Sequence, residues 1–215
     1  GTLRIDAPAT WGRQVLLPVL AQLAAKHSEL ALDLRLSDLQ SDVTGGGLDA
    51  VVRIGRIDDS RLVARQVDAQ HFGVFGAPAY LARRGVPRTP AELVAHDCLV
   101  FRLPATGRPR PWQFRSGRRT LALDPGARAT INDGEALVAA AAAGLGLAQV
   151  PVYMAAPAVA AGRLQEVLAE VRPPPLPISI VYPSSRHVPP RLRVLIDALL
   201  ARTGADIERT AEDPR

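Results

Sequence analysis

Apolar positions along this chain change their spacing repeatedly between the helical and the extended period. Val15, Leu16, Val19, Leu20 and Leu23 recur at helical spacing, so they predict a helix with one apolar face. Pro18 sits inside that pattern, where it lacks a backbone donor and predicts a local kink. Leu30, Leu32, Leu34 and Leu36 then alternate with Ala31, Asp33, Arg35 and Ser37, the period of a strand with one buried face. Residues 3–5 read as a short opening strand that turns at Pro8-Ala9-Thr10. Residues 48–54 are mostly apolar and predict a central strand. Residues 40–47 predict a short helix weakened by Gly45-Gly46-Gly47, and 62–67 and 72–75 predict two further strands.

The second half keeps the same alternation. Residues 78–84 predict a short helix ending at Gly85, and Pro90 opens another from its first position. Residues 98–101 form a strand, 103–111 a Pro/Gly/Arg loop, and 112–115 with 120–123 a hairpin around Ser116-Gly117. A strand at 128–131 runs into Asn132-Asp133, which caps a helix over 134–143 that Gly144 ends. Strand 147–150, a helix to Ala161 and strand 164–167 follow. Pro173-Pro174-Pro175 is a stiff linker into an apolar strand at 178–182. Pro189-Pro190 starts a last helix, with a polar, frayed tail from Gly204. Strands alternating with helices predict an α/β fold.

Composition narrows the function classes. With 215 residues and 47% hydrophobic positions, the chain can bury a core without disulfide or metal staples. Its single cysteine, Cys98, excludes a disulfide framework and any multi-cysteine metal site. The apolar stretch 136–150 is too short to cross a bilayer and holds Gly144 and Gly146. Net charge is +5 from 26 basic and 21 acidic residues, and Lys26 is the sole lysine, a skew that follows from base composition more than from function. The chain begins at Gly1, not methionine, and opens on a strand without a basic-then-apolar leader, so a piece of a longer protein is expected.

Enzyme chemistry finds little support. There is no Gly-x-Ser-x-Gly elbow and no Gly-x-x-x-x-Gly-Lys-Ser/Thr loop. Gly144-Leu145-Gly146 lacks the third glycine of a dinucleotide turn and follows a helix instead of a strand. His27, His71, His96 and His187 are too far apart in sequence to pair locally on a metal, and Cys98 reads as a small core residue. Binding chemistry is better supplied. Pro8-Ala9-Thr10-Trp11-Gly12-Arg13 and Thr130-Ile131-Asn132-Asp133-Gly134 each end a strand and open a helix, where free amides suit an anion. The plain alternative is that Thr10 and Asn132 cap their own helices. Ser37-Asp38 and Arg53-Ile54-Gly55 also end strands, the positions at which ligands gather in open α/β sheets.

These segments, in this order, resemble a known family. Leu48-Asp49-Ala50-Val51-Val52-Arg53-Ile54-Gly55, Ala77-Pro78-Ala79-Tyr80-Leu81, Thr89-Pro90-Ala91-Glu92-Leu93 and His96-Asp97-Cys98-Leu99 carry the likeness in the first half. Asn132-Asp133-Gly134-Glu135-Ala136, Gly144-Leu145-Gly146-Leu147-Ala148, Gly162-Arg163-Leu164 and Tyr182-Pro183-Ser184-Ser185-Arg186 carry it in the second. Over residues 1 to about 203 the chain resembles the effector-binding (regulatory) domain of LysR-type transcriptional regulators. Gly45-Gly46 and His27-Ser28-Glu29 depart from the usual pattern on surface segments.

The resemblance implies a fold like the type 2 periplasmic binding proteins: two Rossmann-like α/β subdomains joined by two crossover strands. Subdomain I would be residues 1–74 plus 179–215 and subdomain II residues 75–178. It further implies a bacterial, cytoplasmic, non-enzymatic sensor that holds a small organic effector, neutral or anionic, in the interdomain cleft. It would need no cofactor or metal and no membrane. It would form a homodimer or homotetramer through the 15–23 helix and the 30–36 strand, and meet promoter DNA only through an N-terminal winged helix-turn-helix absent from this chain. Ligand contacts are expected from Thr10, Trp11, Gly12, Ser37, Asp38 and Arg53 in subdomain I and from Phe101, Asn132 and Asp133 in subdomain II. Thr10 and nearby amides would hold a polar head, Trp11 and Phe101 would wall an apolar body, and Arg53 would supply charge. Trp11 reads equally well as core packing. A solute-binding protein of a transporter, on the same fold, is the alternative function.

Overall fold

The computed structural model describes residues 1–39, 43, 47–184 and 187–212. Of the helix expected over 40–47, only Val43 and Gly47 are among the described residues. The chain divides into two compact units, Gly1–Ala69 with Leu176–Arg215, and Gln70–Pro175.

The first unit is built on a five-stranded sheet in the order β2-β1-β3-β12-β4. Its strands are β1 (Thr2–Ala7), β2 (Ala31–Leu36), β3 (Ala50–Ile54), β4 (Leu62–Gln70) and β12 (Leu176–Pro183). β1 runs parallel to both β2 and β3, and β12 runs antiparallel to β3. The mostly apolar β3 is central, as its composition requires. The alternating leucines of β2 do not mark a buried face, contrary to expectation. β2 is the sheet edge, Leu32 is 37% exposed, and Leu34 and Leu36 are only half-buried.

The helical stretch after β1 comprises α1 (Ala9–Trp11), a π turn (Gly12–Leu16) and α2 (Leu17–Lys26). In the widened turn the amide of Leu17 donates to the carbonyl of Gly12, five residues back. That turn immediately precedes Pro18. It is how the helix absorbs a residue that offers no N–H and crowds the carbonyl four positions earlier. The final helix α6 (Pro190–Glu212) extends through Gly204, so the expected frayed tail is helical to Glu212. Leu3, Ile5, Trp11, Leu16, Leu20, Ile180, Leu195 and Leu199 are buried in this unit.

The second unit has its own five-stranded sheet, in the order β11-β5-β10-β6-β9. These are β5 (Phe72–Gly76), β6 (Cys98–Phe101), β9 (Ala127–Ile131), β10 (Leu147–Pro151) and β11 (Gln165–Val167). Neighbouring residues on one strand point to opposite faces, and two cores follow from that. Val74, Cys98 and Leu147 pack on one face with Tyr80, Leu81, Leu93, Trp112 and Phe114. Phe75, Leu99 and Ala148 pack on the other with Leu137, Ala141, Ala155 and Ala158. The first face is covered by α3 (Pro78–Arg84) and the hairpin β7 (Trp112–Ser116)–β8 (Arg119–Leu123), the second by α4 (Gly134–Ala142) and α5 (Val152–Ala160). The hairpin turns at Gly117 with φ +60°, and Arg118 has no positive φ, the pattern of a II′ turn. The helix opened by Pro90 is of the 3-10 type (Pro90–Ala95).

Candidate functional site

In the first unit the strand register sets the edge at which the expected residues meet. β1 and β2 end together, with Ala7 opposite Leu36, and the amide of Ser37 donates to the Ala7 carbonyl at 3.0 Å. One residue on, Asp38 reaches over the helix start: its Oδ1 accepts the Ala9 amide at 3.0 Å. Ser37 turns on itself, its Oγ accepting the Leu39 amide at 3.1 Å. A Cβ on Gly12 would lie 2.4 Å from Leu36 Cδ2, so any side chain there displaces the methyl end of that leucine. Thr10 is buried in the first turn, and its hydroxyl accepts from Arg13 at 3.5 Å. Thr10, Gly12, Ser37 and Asp38 therefore gather at the ends of β1 and β2.

Trp11 is placed differently from the ligand wall. Its ring is fully buried in the first unit, and its Nε1 donates to Asp68 Oδ2 at 3.3 Å. Arg202 on α6 ion-pairs with the same carboxylate oxygen, and the Ala69 amide donates to its other oxygen at 2.8 Å. Asp68 thus ties β4, the first helical stretch and α6 together, a role that sequence spacing gave no means to see. Arg53 is half-buried on β3, opposite Ser179 of β12 and two residues before Gly55, whose φ is +99°. Part of its charge is directed at Asp59, whose carboxyl is held down to about 2, chiefly by hydrogen bonds from Arg61, with Arg53 adding the smallest share.

In the second unit, β6 lies between β10 and β9 and runs parallel to both. Phe101 ends β6 directly opposite Ile131, which ends β9. Asn132 and Asp133 follow at once, both exposed. Asp133 is the residue that caps α4, its Oδ1 accepting the Ala136 amide at 2.7 Å. Phe101 is half-buried against the α4–α5 core. Phe72 begins β5 opposite Pro151, the last residue of β10, and so lies at this same edge.

The β6–β10 ladder holds only at Leu147–Cys98 and Ala148–Leu99. Beyond it the segment after the Arg-rich loop enters. Arg102 bridges to Pro109, and the Arg110 amide donates to the Phe101 carbonyl at 2.7 Å. The buried side-chain amide of Gln149 then takes the place of a strand: its Oε1 accepts the Gln113 amide at 3.0 Å and its Nε2 donates to the Gln113 carbonyl at 2.9 Å. At this edge Tyr153 donates to Gln70 at 3.4 Å and the Val152 amide to the His71 carbonyl at 2.8 Å.

Both edges are built from strand ends and helix starts. Each helix start already carries a carboxylate from its own chain, Asp38 at the first and Asp133 at α4, which satisfies an orphan amide and answers the helix dipole. Among the described residues no group of three or more His, Cys, Asp or Glu is placed to hold a metal. Cys98 is fully buried, and desolvation pushes its thiol up to about 12, far from a nucleophile's range. A cavity of about 290 Å³ lies in the first unit beside Asp49, Tyr182, His187 and Arg191, where β3 starts and β12 ends, at the opposite end of the sheet from Thr10 and Ser37. Among the described residues no helix is long and apolar enough to cross a membrane.

Known proteins share both the sequence and the architecture. Residues 1–204 match the family described as LysR substrate binding domain. The HTH-type transcriptional regulator YhjC of Escherichia coli K12 is 32% identical over 93% of this chain, and the HTH-type transcriptional activator AaeR of the same organism is 30% identical over 93%. This chain covers 67% and 64% of those two proteins' lengths, and 65% of a 32%-identical Haemophilus influenzae regulator. The regulatory domain of CrgA, a LysR-type transcriptional regulator from Neisseria meningitidis, superposes with a TM-score of 0.82 at 28% identity, covering 95% of this chain and 99% of that domain. These relatives are transcriptional regulators, not enzymes or transport proteins, so the solute-binding alternative gains no support. The chain belongs to the LysR substrate-binding domain family.

Proposed function

We propose that this domain binds a small organic effector between its two units and thereby tunes DNA binding by a longer, oligomeric, cytoplasmic regulator. The observation that supports this reading most is the placement of the candidate residues. Within each unit they gather where parallel strands end: Thr10, Ser37 and Asp38 after β1 and β2, and Phe101, Asn132 and Asp133 after β6 and β9. Strand C-termini are where open α/β sheets hold ligands. An effector shifts a conformational equilibrium only by its different affinity for the two states, and that difference sets the response. Promoter contact belongs to a helix-turn-helix segment of the longer protein.

Thermal-shift screening of small organic molecules, followed by calorimetry of the hits, tests the reading. Each lost neutral hydrogen bond removes about 1 kcal/mol. A Thr10→Ala, Asn132→Ala double variant should therefore bind a hit about 30-fold more weakly at unchanged fold. Hits that bind the double variant as tightly as the wild type place the ligand elsewhere.

The same reading includes a homodimer. β2 leaves a sheet edge open, and the neighbouring face presents Leu17 at 38% and Leu32 at 37% exposure. Uncovered edges of this kind invite pairing. Light scattering should show a dimer at high concentration that Leu32→Glu converts to monomer; a monomeric wild-type chain would argue against this interface.

A further inference from the structure

Three partly buried arginines among the described residues stand against a carboxylate. Arg172 is paired with Glu166, Arg191 with Asp49 and Arg202 with Asp68. Arg110 is desolvated at least as strongly, yet among the described residues no carboxylate forms an ion pair with it. Its guanidinium lies over the Phe72 ring, 4.0 Å from the centroid. A guanidinium lying on an aromatic face keeps its N–H donors directed outward in its own plane, the geometry that fits a carboxylate with two parallel hydrogen bonds.

The backbone holds this group in place. Arg110 stands between Pro109 and Pro111, so the residue before Pro111 is confined to extended conformations. Its amide is fixed to the Phe101 carbonyl at 2.7 Å, and the Arg102–Pro109 bridge closes the loop behind it. It therefore stands where β6 and β10 part, beside Phe101, at the edge already described for the second unit. At that edge, α4 is capped by Asp133, so an incoming anion finds the helix start occupied by a like charge.

We propose that Arg110, stacked on Phe72, is the receptor for a carboxylate on the effector, and that this domain senses an organic carboxylic acid. The inference rests on the effector-sensing reading above and adds the ligand's class and its anchoring residue. Burial without a counter-ion lowers the Arg110 pKa to about 10, so the group stays charged at neutral pH while lacking the partner that would offset its desolvation. A bound carboxylate supplies that partner.

The test uses pairs of ligands, aliphatic and aromatic monocarboxylic acids each with its primary amide, titrated against wild type, Arg110→Gln and Arg110→Lys. An acid should bind wild type at least 30-fold more tightly than its amide. Arg110→Gln should erase that preference while leaving amide binding within about twofold, and Arg110→Lys should recover only part of it. Independently, the acid should shift the guanidinium Nε–H resonance that is lost in Arg110→Lys spectra. Acids that bind Arg110→Gln as well as wild type, or amides that match acids on wild type, overturn this inference and leave the sensing function standing. So do ligands of other chemistry whose binding ignores Arg110. A wild-type chain that binds no small molecule of any class overturns both.

Discussion

Replacing Trp11 with alanine should lower the unfolding free energy by about 3–5 kcal/mol, the range for removing a large aromatic from a core. The ring is fully buried, and its indole N–H joins Arg202 on the carboxylate of Asp68. Truncation opens a cavity at the start of the first helical stretch and takes one donor from Asp68, which keeps Arg202 and the Ala69 amide. In a chain of 215 residues the loss corresponds to a melting point roughly 10 °C lower. Urea denaturation and calorimetry check it. A cost under about 1 kcal/mol, well below that range, would mean that the ring is not core and would restore it as a candidate ligand wall.

The second large effect concerns Gly146. A Cβ at this position would lie 2.3 Å from the Asp97 carbonyl oxygen and 2.9 Å from its carbon. That carbonyl cannot step aside, because it accepts the Leu147 amide at 2.8 Å at the start of the β10–β6 pairing. Gly146→Ala should cost about 3 kcal/mol, the upper part of the overpacking range. Gly144, two residues earlier, makes the contrast. Its φ is +81° with open space around the missing Cβ, so Gly144→Ala pays only the left-handed penalty of about 1–2 kcal/mol. Paired unfolding curves for the two variants decide it, and a Gly144→Ala cost exceeding that of Gly146→Ala contradicts this account of the turn.

Most of the fold was legible because period is a local property. The central strand β3, the hairpin β7–β8 and the α4 helix after Asn132-Asp133 all stand where their patterns put them. Misreadings arose where a pattern has two physical causes. Four alternating leucines read as a buried face, yet the same alternation serves an edge strand whose apolar side is left uncovered. Pro18 marked a local irregularity in the helix, but its form, a widened turn over Gly12–Leu16, was not readable from the pattern. Trp11 fits a helix face whichever way it points, and only the position of Asp68, far along the sequence, decides that it points inward.

The candidate site was legible as a set of strand ends but not as chemistry. Thr10, Ser37 and Asn132 were singled out because each follows a strand pattern. That Asp38 would already serve the first helix start was invisible, since this cap comes from a different strand end, whereas the Asn132-Asp133 cap of α4 is local and was read from the sequence. Arg110 was hidden among the arginines of one loop. Flanking prolines were its local mark, and its lack of a carboxylate partner among the described residues is a property of the folded chain alone.

A crystal structure of the chain grown with a ligand that passes the thermal-shift screen measures the central claim most directly. The account predicts ligand density touched at once by Thr10 of the first unit and by Asn132 or Phe101 of the second. Density confined to one unit, or seated in the cavity beside Asp49 and Arg191, would contradict it.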